Sequence, residues 1–324
     1  MMLLRRTTQG TFASSRGRLV HFPALASIHT IAEEGFSESS AQLYDEARPG
    51  YPAESITYIK DLLISVHATC NNSTSISREA HATPQIVVVE LGAGTGKFTQ
   101  CFFAGETKHT AQAQDALFNW TATDPSAGFR AAMKGISLPR DVTAIVEGTG
   151  TSIPADDHSV DCIVVAQAFH WMANEETLME CHRVLKRSGA LIMVWNAMDA
   201  EKDWIRQLDF ELLTSHYDDK HTPRYITNEW RDVFGSTTAQ ALFQLPLVHW
   251  SAQERNKQHG SKQSIVDKIL SVSVVSRRSA HEKEAIAREV QEFLENHPET
   301  AAKARLDQAL PLEYRTDVSW LVTK

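Results

Sequence analysis

The sequence predicts a doubly wound α/β fold, and three observations carry that expectation. Short apolar or β-branched runs recur at residues 86–89, 120–123, 142–146, 162–166 and 190–195. Runs of this length suit strands buried on both faces of a parallel sheet. Helical patterns lie between them, and strands alternating with helices imply one sheet covered on both faces. With 42% hydrophobic and 22% charged residues in 324, the composition is that of an ordinary globular chain able to bury a large core.

The elements follow in order. After Pro52, which a first helical turn tolerates, Ile56, Ile59, Leu63 and Val66 fall on one helical stripe. Residues 70–84 are polar and read as a loop insertion, followed by the first strand at 86–89. A further helix is marked by Asn174 as N-cap and by Glu175 and Glu176 in its first turn. Leu178, Cys181 and Leu185 form its apolar face, and Lys186, Arg187 and Gly189 stand at its end. Beyond Asn196 the pattern turns helical at 204–216 and 281–295, the latter with Ile286, Val290, Phe293 and Leu294 on one stripe. Short apolar stretches at 245–250 and 318–322 are expected to close the same sheet, giving one domain with helical decorations.

Charge and cysteines exclude several classes. The net charge of −8 divides into +4 on residues 1–32, with Arg5, Arg6, Arg16, Arg18 and no acid, and −12 on the remainder. An acidic body argues against a nucleic-acid partner, whose affinity rests on cation–phosphate contacts. No apolar run is long enough to span a bilayer. The four cysteines, Cys70, Cys101, Cys162 and Cys181, form no Cys-x-x-Cys pair, which suits a reducing compartment without a structural metal site. The Arg-rich, hydroxyl-rich head at 1–32 has the composition of a mitochondrial transit peptide or of a disordered tail. The expected location is therefore the cytoplasm or the mitochondrial matrix, and the folded domain is expected over 33–324.

Val88-Val89-Glu90-Leu91-Gly92-Ala93-Gly94-Thr95-Gly96-Lys97-Phe98 carries the chemistry. It reads as a strand, an acid at the strand end, three alternating glycines and a helix start. A phosphate-cradling loop requires Gly-x-x-x-x-Gly-Lys-Ser/Thr, but Leu91 and Phe98 stand at two of the fixed positions. The dinucleotide fingerprint requires a small residue where Lys97 stands. Glu-x-Gly-x-Gly-x-Gly remains, the turn that holds S-adenosylmethionine. Asp124 ends the second strand, where a carboxylate can bond ribose hydroxyls; the competing role is a helix N-cap. Its spacing from the turn is lengthened by a polar insertion at 108–115.

At these residues the chain resembles the class I S-adenosylmethionine-dependent methyltransferases, specifically the methyltransferase type 11 family. The resemblance runs over residues 36–320. It includes Tyr44-Asp45-Glu46-Ala47-Arg48-Pro49-Gly50-Tyr51-Pro52, the glycine turn, Asp124-Pro125-Ser126, Gly148-Thr149, Ala166-Gln167-Ala168-Phe169-His170-Trp171 and Val194-Trp195-Asn196. It implies a Rossmann-like, seven-stranded, mostly parallel sheet, with a cofactor-binding core at 84–196 and acceptor-side helices and last strands at 197–324. It also implies S-adenosyl-L-methionine as cofactor and a small-molecule methyl acceptor.

By the same resemblance, Glu90, Gly92, Gly94 and Gly96 line the methionine and ribose side, and Asp124 holds the ribose. Gly148 and Thr149 lie against adenine, although Gly150-Thr151 departs from the family's usual Ala-Glu. Gln167 sits beside the sulfonium. Tyr44, Arg48, Tyr51, Phe169 and Trp171 are expected on the substrate side, with core filling as the alternative for one of Phe169 and Trp171, and His170 as a base or a positioning group. No His-Glu-x-x-His or other metal motif occurs. A nucleotide-dependent oxidoreductase and a non-catalytic cofactor-binding protein are the competing functional readings.

Overall fold

The computed structural model describes residues 48–72, 85–104, 117–216 and 222–324. The head at 1–32, Tyr44 and the insertion at 108–115 lie outside the described residues. The elements run α1 (Ala53–Asn72), β1 (Ile86–Leu91), α2 (Lys97–Phe103), β2 (Phe118–Thr123), α3 (Ala127–Lys134), β3 (Val142–Val146), β4 (Val160–Ala166), α4 (Glu175–Val184) and β5 (Leu185–Met198). There follow α5 (Asp203–Arg206), continuing as a π-helix over Gln207–Leu213, then α6 (Thr237–Leu242), β6 (Val248–Ser251) and β7 (Asn256–Gly260). The chain closes with α7 (Lys262–Leu270), α8 (Ser273–Ser276), α9 (Ala280–Asn296), α10 (Ala301–Arg305) and β8 (Leu310–Val322).

The strands form one sheet in the order β3-β2-β1-β4-β5-β8-β6. The first five are parallel, whereas β8 runs antiparallel to β5 and to β6. This is the expected doubly wound α/β architecture, with one correction: the sheet has eight strands rather than seven. The eighth, β7, pairs with Leu310–Tyr314 while β6 pairs with 317–320, so the two lie along the same edge of β8. Its sequence, Asn-Lys-Gln-His-Gly, is polar and mostly exposed, so no apolar alternation marks it. Two boundaries also shift. Helix α1 continues through Cys70 to Asn72, where a loop was expected, and Lys186, Arg187 and Gly189 belong to β5 rather than to a helix end.

Side-chain alternation along the strands builds two cores. Ile86, Val88, Cys162, Val164, Ile192 and Val194 face Ile59 and Leu63 of α1 and Phe98 and Phe102 of α2. The intervening Val89, Leu91, Ile163, Val165, Met193 and Trp195 face Leu178 and Cys181 of α4, Trp230 and Phe234. A third core joins α5, the π-helix, α7, α8 and α9 to Leu310, Leu312 and Tyr314 of β8. Because that half of β8 pairs with the carboxyl end of β5, the helical cap stands at the carboxyl ends of the parallel strands. No helix among the described residues is long and apolar enough to cross a membrane.

Candidate functional site

Strand order reverses between β1 and β4, and ligands of open α/β sheets bind in the crevice at that switch point. The glycine turn fills it. Gly92, Gly94 and Gly96 all have positive φ, at 73°, 59° and 84°. At Gly92 a Cβ would also stand 2.8 Å from Ala168 Cβ, so only glycine lets the turn pass the end of β4. The turn is held from β2: Gly92 and Ala93 donate their N–H groups to Thr123 O, and Gly94 N–H donates to Asp124 Oδ2 at 2.9 Å. Asp124 Oδ1 accepts from Ser126 N–H at 2.8 Å. It is therefore not the cap of α3; Ser126 is, accepting from Phe129 N–H. Burial raises the Asp124 pKa, opposed by its two backbone hydrogen bonds.

A cavity of about 50 Å³ opens beside the turn, bordered by Arg48, Tyr51, Glu90, Gly92, Gly94, Lys97 and Gln167. Glu90 is fully buried. Its Oε2 accepts from both the Thr99 hydroxyl and Trp120 Nε1, while Oε1 has no partner among the described residues. Burial pushes its pKa up to about 7 against the pull of those two donors. Tyr51 packs edge-on against Phe98 at 5.0 Å, which fixes the segment after Arg48 over this cavity.

A second cavity, of about 150 Å³, shares Arg48 and Gln167 with the first. Gln167 follows β4 with φ 61°, an uncommon conformation for a side chain of its size, and its Nε2 donates to Asn196 O at 3.1 Å. His170 and Trp171 border the second cavity from a 3₁₀ turn. Trp195 Nε1 donates to His170 Nδ1 at 3.4 Å, which leaves the ring proton on Nε2. Burial, and then Arg48, push the His170 pKa down to about 3. The imidazole is thus neutral and a poor proton acceptor at pH 7. The opposite wall comes from the helical cap: Asp209 and Leu213 of the π-helix, Arg224, Tyr225, Lys268 of α7, and Tyr314 of β8. Tyr225 is anchored by its hydroxyl, which donates to Asp317 at 2.6 Å, and its ring stacks on Trp195 at 4.6 Å.

Comparison with known proteins fits this geometry. Residues 89–193 match the family model of a methyltransferase domain. An uncharacterized methyltransferase-like protein of Schizosaccharomyces pombe is 31% identical over 194 residues, 59% of this chain and 62% of that protein. An uncharacterized methyltransferase of Mycobacterium tuberculosis is 33% identical over 170 residues, 52% of this chain and 56% of that protein. The chain therefore spans less than two thirds of the length of these relatives. A provisional type II methyltransferase from Anaeromyxobacter dehalogenans shares the fold, with a TM-score of 0.50 at 16% identity over 85% of this chain and 97% of its own. Over residues 89–193 the chain is therefore similar to a methyltransferase domain.

Within the matched segment, Glu90, Gly92, Gly94 and Gln167 come together with Arg48 and Tyr51 of the preceding segment at the first cavity. Asp124 reaches the site through Gly94. Gly148 and Thr149 lie outside both cavities: Gly148 packs on Thr123 and Pro154, and Thr149 pairs with Ser152. The departure at Gly150 has a packing cause, since a Cβ there would fall 2.6 Å from Thr177 Oγ1. Phe169 is a correction. It is fully buried, stacked on Phe234 at 5.6 Å, and belongs to the core rather than to the substrate side. Asp209, Arg224, Lys268 and Tyr314 were absent from the sequence expectations. Lys268 carried a readable signal, because it shares the apolar stripe of α7 with Ile265 and Ile269.

Proposed function

We propose that the chain transfers a methyl group from S-adenosylmethionine, held along the glycine turn with its methionine end at the first cavity, to a small molecule held in the second. The observation that carries this is Glu90. A buried carboxyl with one bare oxygen calls for a donor from a ligand, and the methionine ammonium is such a donor. The close passage of Gly92 beside Ala168 and the Asp124 carboxylate at the turn suit the same ligand. Each Asp124 oxygen spends one acceptor site on a backbone N–H and keeps another for a ribose hydroxyl. When bound, the cofactor supplies an electrophilic methyl carbon on a cationic sulfur.

The remaining work is alignment and exclusion of water. Gln167 and Arg48 border both cavities and so define the passage between them. His170 acts as a neutral hydrogen-bond donor through Nε2 rather than as a general base, because its depressed pKa opposes proton uptake. Trp171 supplies an apolar wall. Calorimetry with S-adenosylhomocysteine and with NAD tests the cofactor assignment. One-site binding of the former and none of the latter is expected, and the reverse pattern refutes it.

A further inference from the structure

Lys268 and Asp209 border the second cavity from two different elements, and both are nearly buried, at 5% and 8% exposure. The Lys268 ammonium lies over the Tyr314 ring, 5.3 Å from its centroid. Neither side chain makes a hydrogen bond or ion pair among the described residues, and they do not pair with each other. Burying a charge without a partner is costly, so two opposite charges kept apart around one cavity are placed for a ligand. Burial, with Arg48 beside it, holds the Lys268 pKa well below its ordinary value against the pull of Asp209, and burial pushes Asp209 up to about 6 against Arg224 and Lys268.

The cavity of about 150 Å³ is half open to solvent, and its enclosed part has room for a short-chain molecule of roughly six heavy atoms. We propose that the second cavity takes a short-chain acceptor bearing two groups: a carboxylate held by Lys268 and a proton-bearing nitrogen or oxygen held by Asp209. This rests on the methyltransferase reading above and assigns its acceptor class. Arg48 and Arg224 border the same space and add to its preference for an acid.

The 324-residue chain, saturated with S-adenosylhomocysteine, is titrated calorimetrically with propionate, lactate, alanine and propylamine. Lactate or alanine is expected to bind at least tenfold tighter than propionate, and propionate tighter than propylamine. Which of lactate and alanine wins identifies the proton-bearing group as O–H or N–H. Lys268→Met should weaken every acid at least tenfold, and Lys268→Arg should restore most of it. Asp209→Asn should bring lactate and alanine to the level of propionate. S-adenosylhomocysteine binding reports that each variant is folded. Equal or undetectable binding of the four probes to protein that still binds S-adenosylhomocysteine overturns the proposal, as does acid binding unchanged in Lys268→Met. If S-adenosylhomocysteine does not bind the wild type, the methyltransferase reading falls and takes this proposal with it.

Discussion

Glu90 makes cofactor affinity depend on pH, with a sign and size set by its burial. With its pKa raised from 4.5 to about 7, the folded chain holds a proton there that the unfolded chain has released. The apo protein therefore loses stability as pH rises from 4.5 to about 7. A ligand ammonium reverses the preference, because it binds the ionised carboxyl. With a pKa of about 7, the ionised fraction is roughly 3% at pH 5.5 and roughly 75% at pH 7.5. The apparent affinity should rise by that ratio, roughly 25-fold or about 1.9 kcal/mol. The assay is calorimetric titration of S-adenosylhomocysteine at half-unit pH steps in buffers of different ionisation enthalpy, which also counts the proton released. Glu90→Gln should flatten the profile while binding the nucleoside portion. A flat wild-type profile, or the same slope in Glu90→Gln, would refute the assignment of Glu90 to the ammonium.

Other substitutions separate site from scaffold. Asp124→Ala should weaken S-adenosylhomocysteine by roughly 1.5–3 kcal/mol, the cost of removing a buried charged acceptor, and an unchanged dissociation constant contradicts the ribose role. Phe169→Ala should destabilise the fold by about 3–5 kcal/mol in urea unfolding. At temperatures where the variant stays folded its KM should match the wild type, and a raised KM would return Phe169 to the substrate wall. Gly92→Ala should abolish cofactor binding, since its Cβ would meet Ala168 at 2.8 Å in a backbone with φ 73°. Normal binding by that variant would mean that the turn lies elsewhere. His170→Gln should keep the shape of the wild-type pH–rate profile, and loss of one limb would establish His170 as a titrating base.

The sheet was legible because its central strands β1, β4 and β5 are buried on both faces and α1 repeats its apolar residues at helical spacing. Asn174 was legible because its side chain caps α4 by accepting from Thr177 N–H at 2.8 Å, the local chemistry that Asn before two glutamates announces. Strand β7 was not, because an edge strand needs only backbone pairing and can be polar throughout. Phe169 and Trp171 could not be separated by type alone. Both are aromatic and two positions apart, and only the 3₁₀ turn sends one into the core and the other to the cavity. The first cavity was readable because most of its groups, from Glu90 to Phe98, lie in one continuous strand–turn–helix segment, joined by Arg48, Tyr51 and Gln167. The second draws single residues from the π-helix, α7 and β8, which only the fold brings together.

Incubation of the protein with methyl-labelled S-adenosylmethionine and a fractionated small-metabolite extract tests methyl transfer most directly. Label entering a low-molecular-weight acid fraction, with one S-adenosylhomocysteine formed per methyl transferred, is the expected result. Tight cofactor binding with no label in any small-molecule fraction would contradict it.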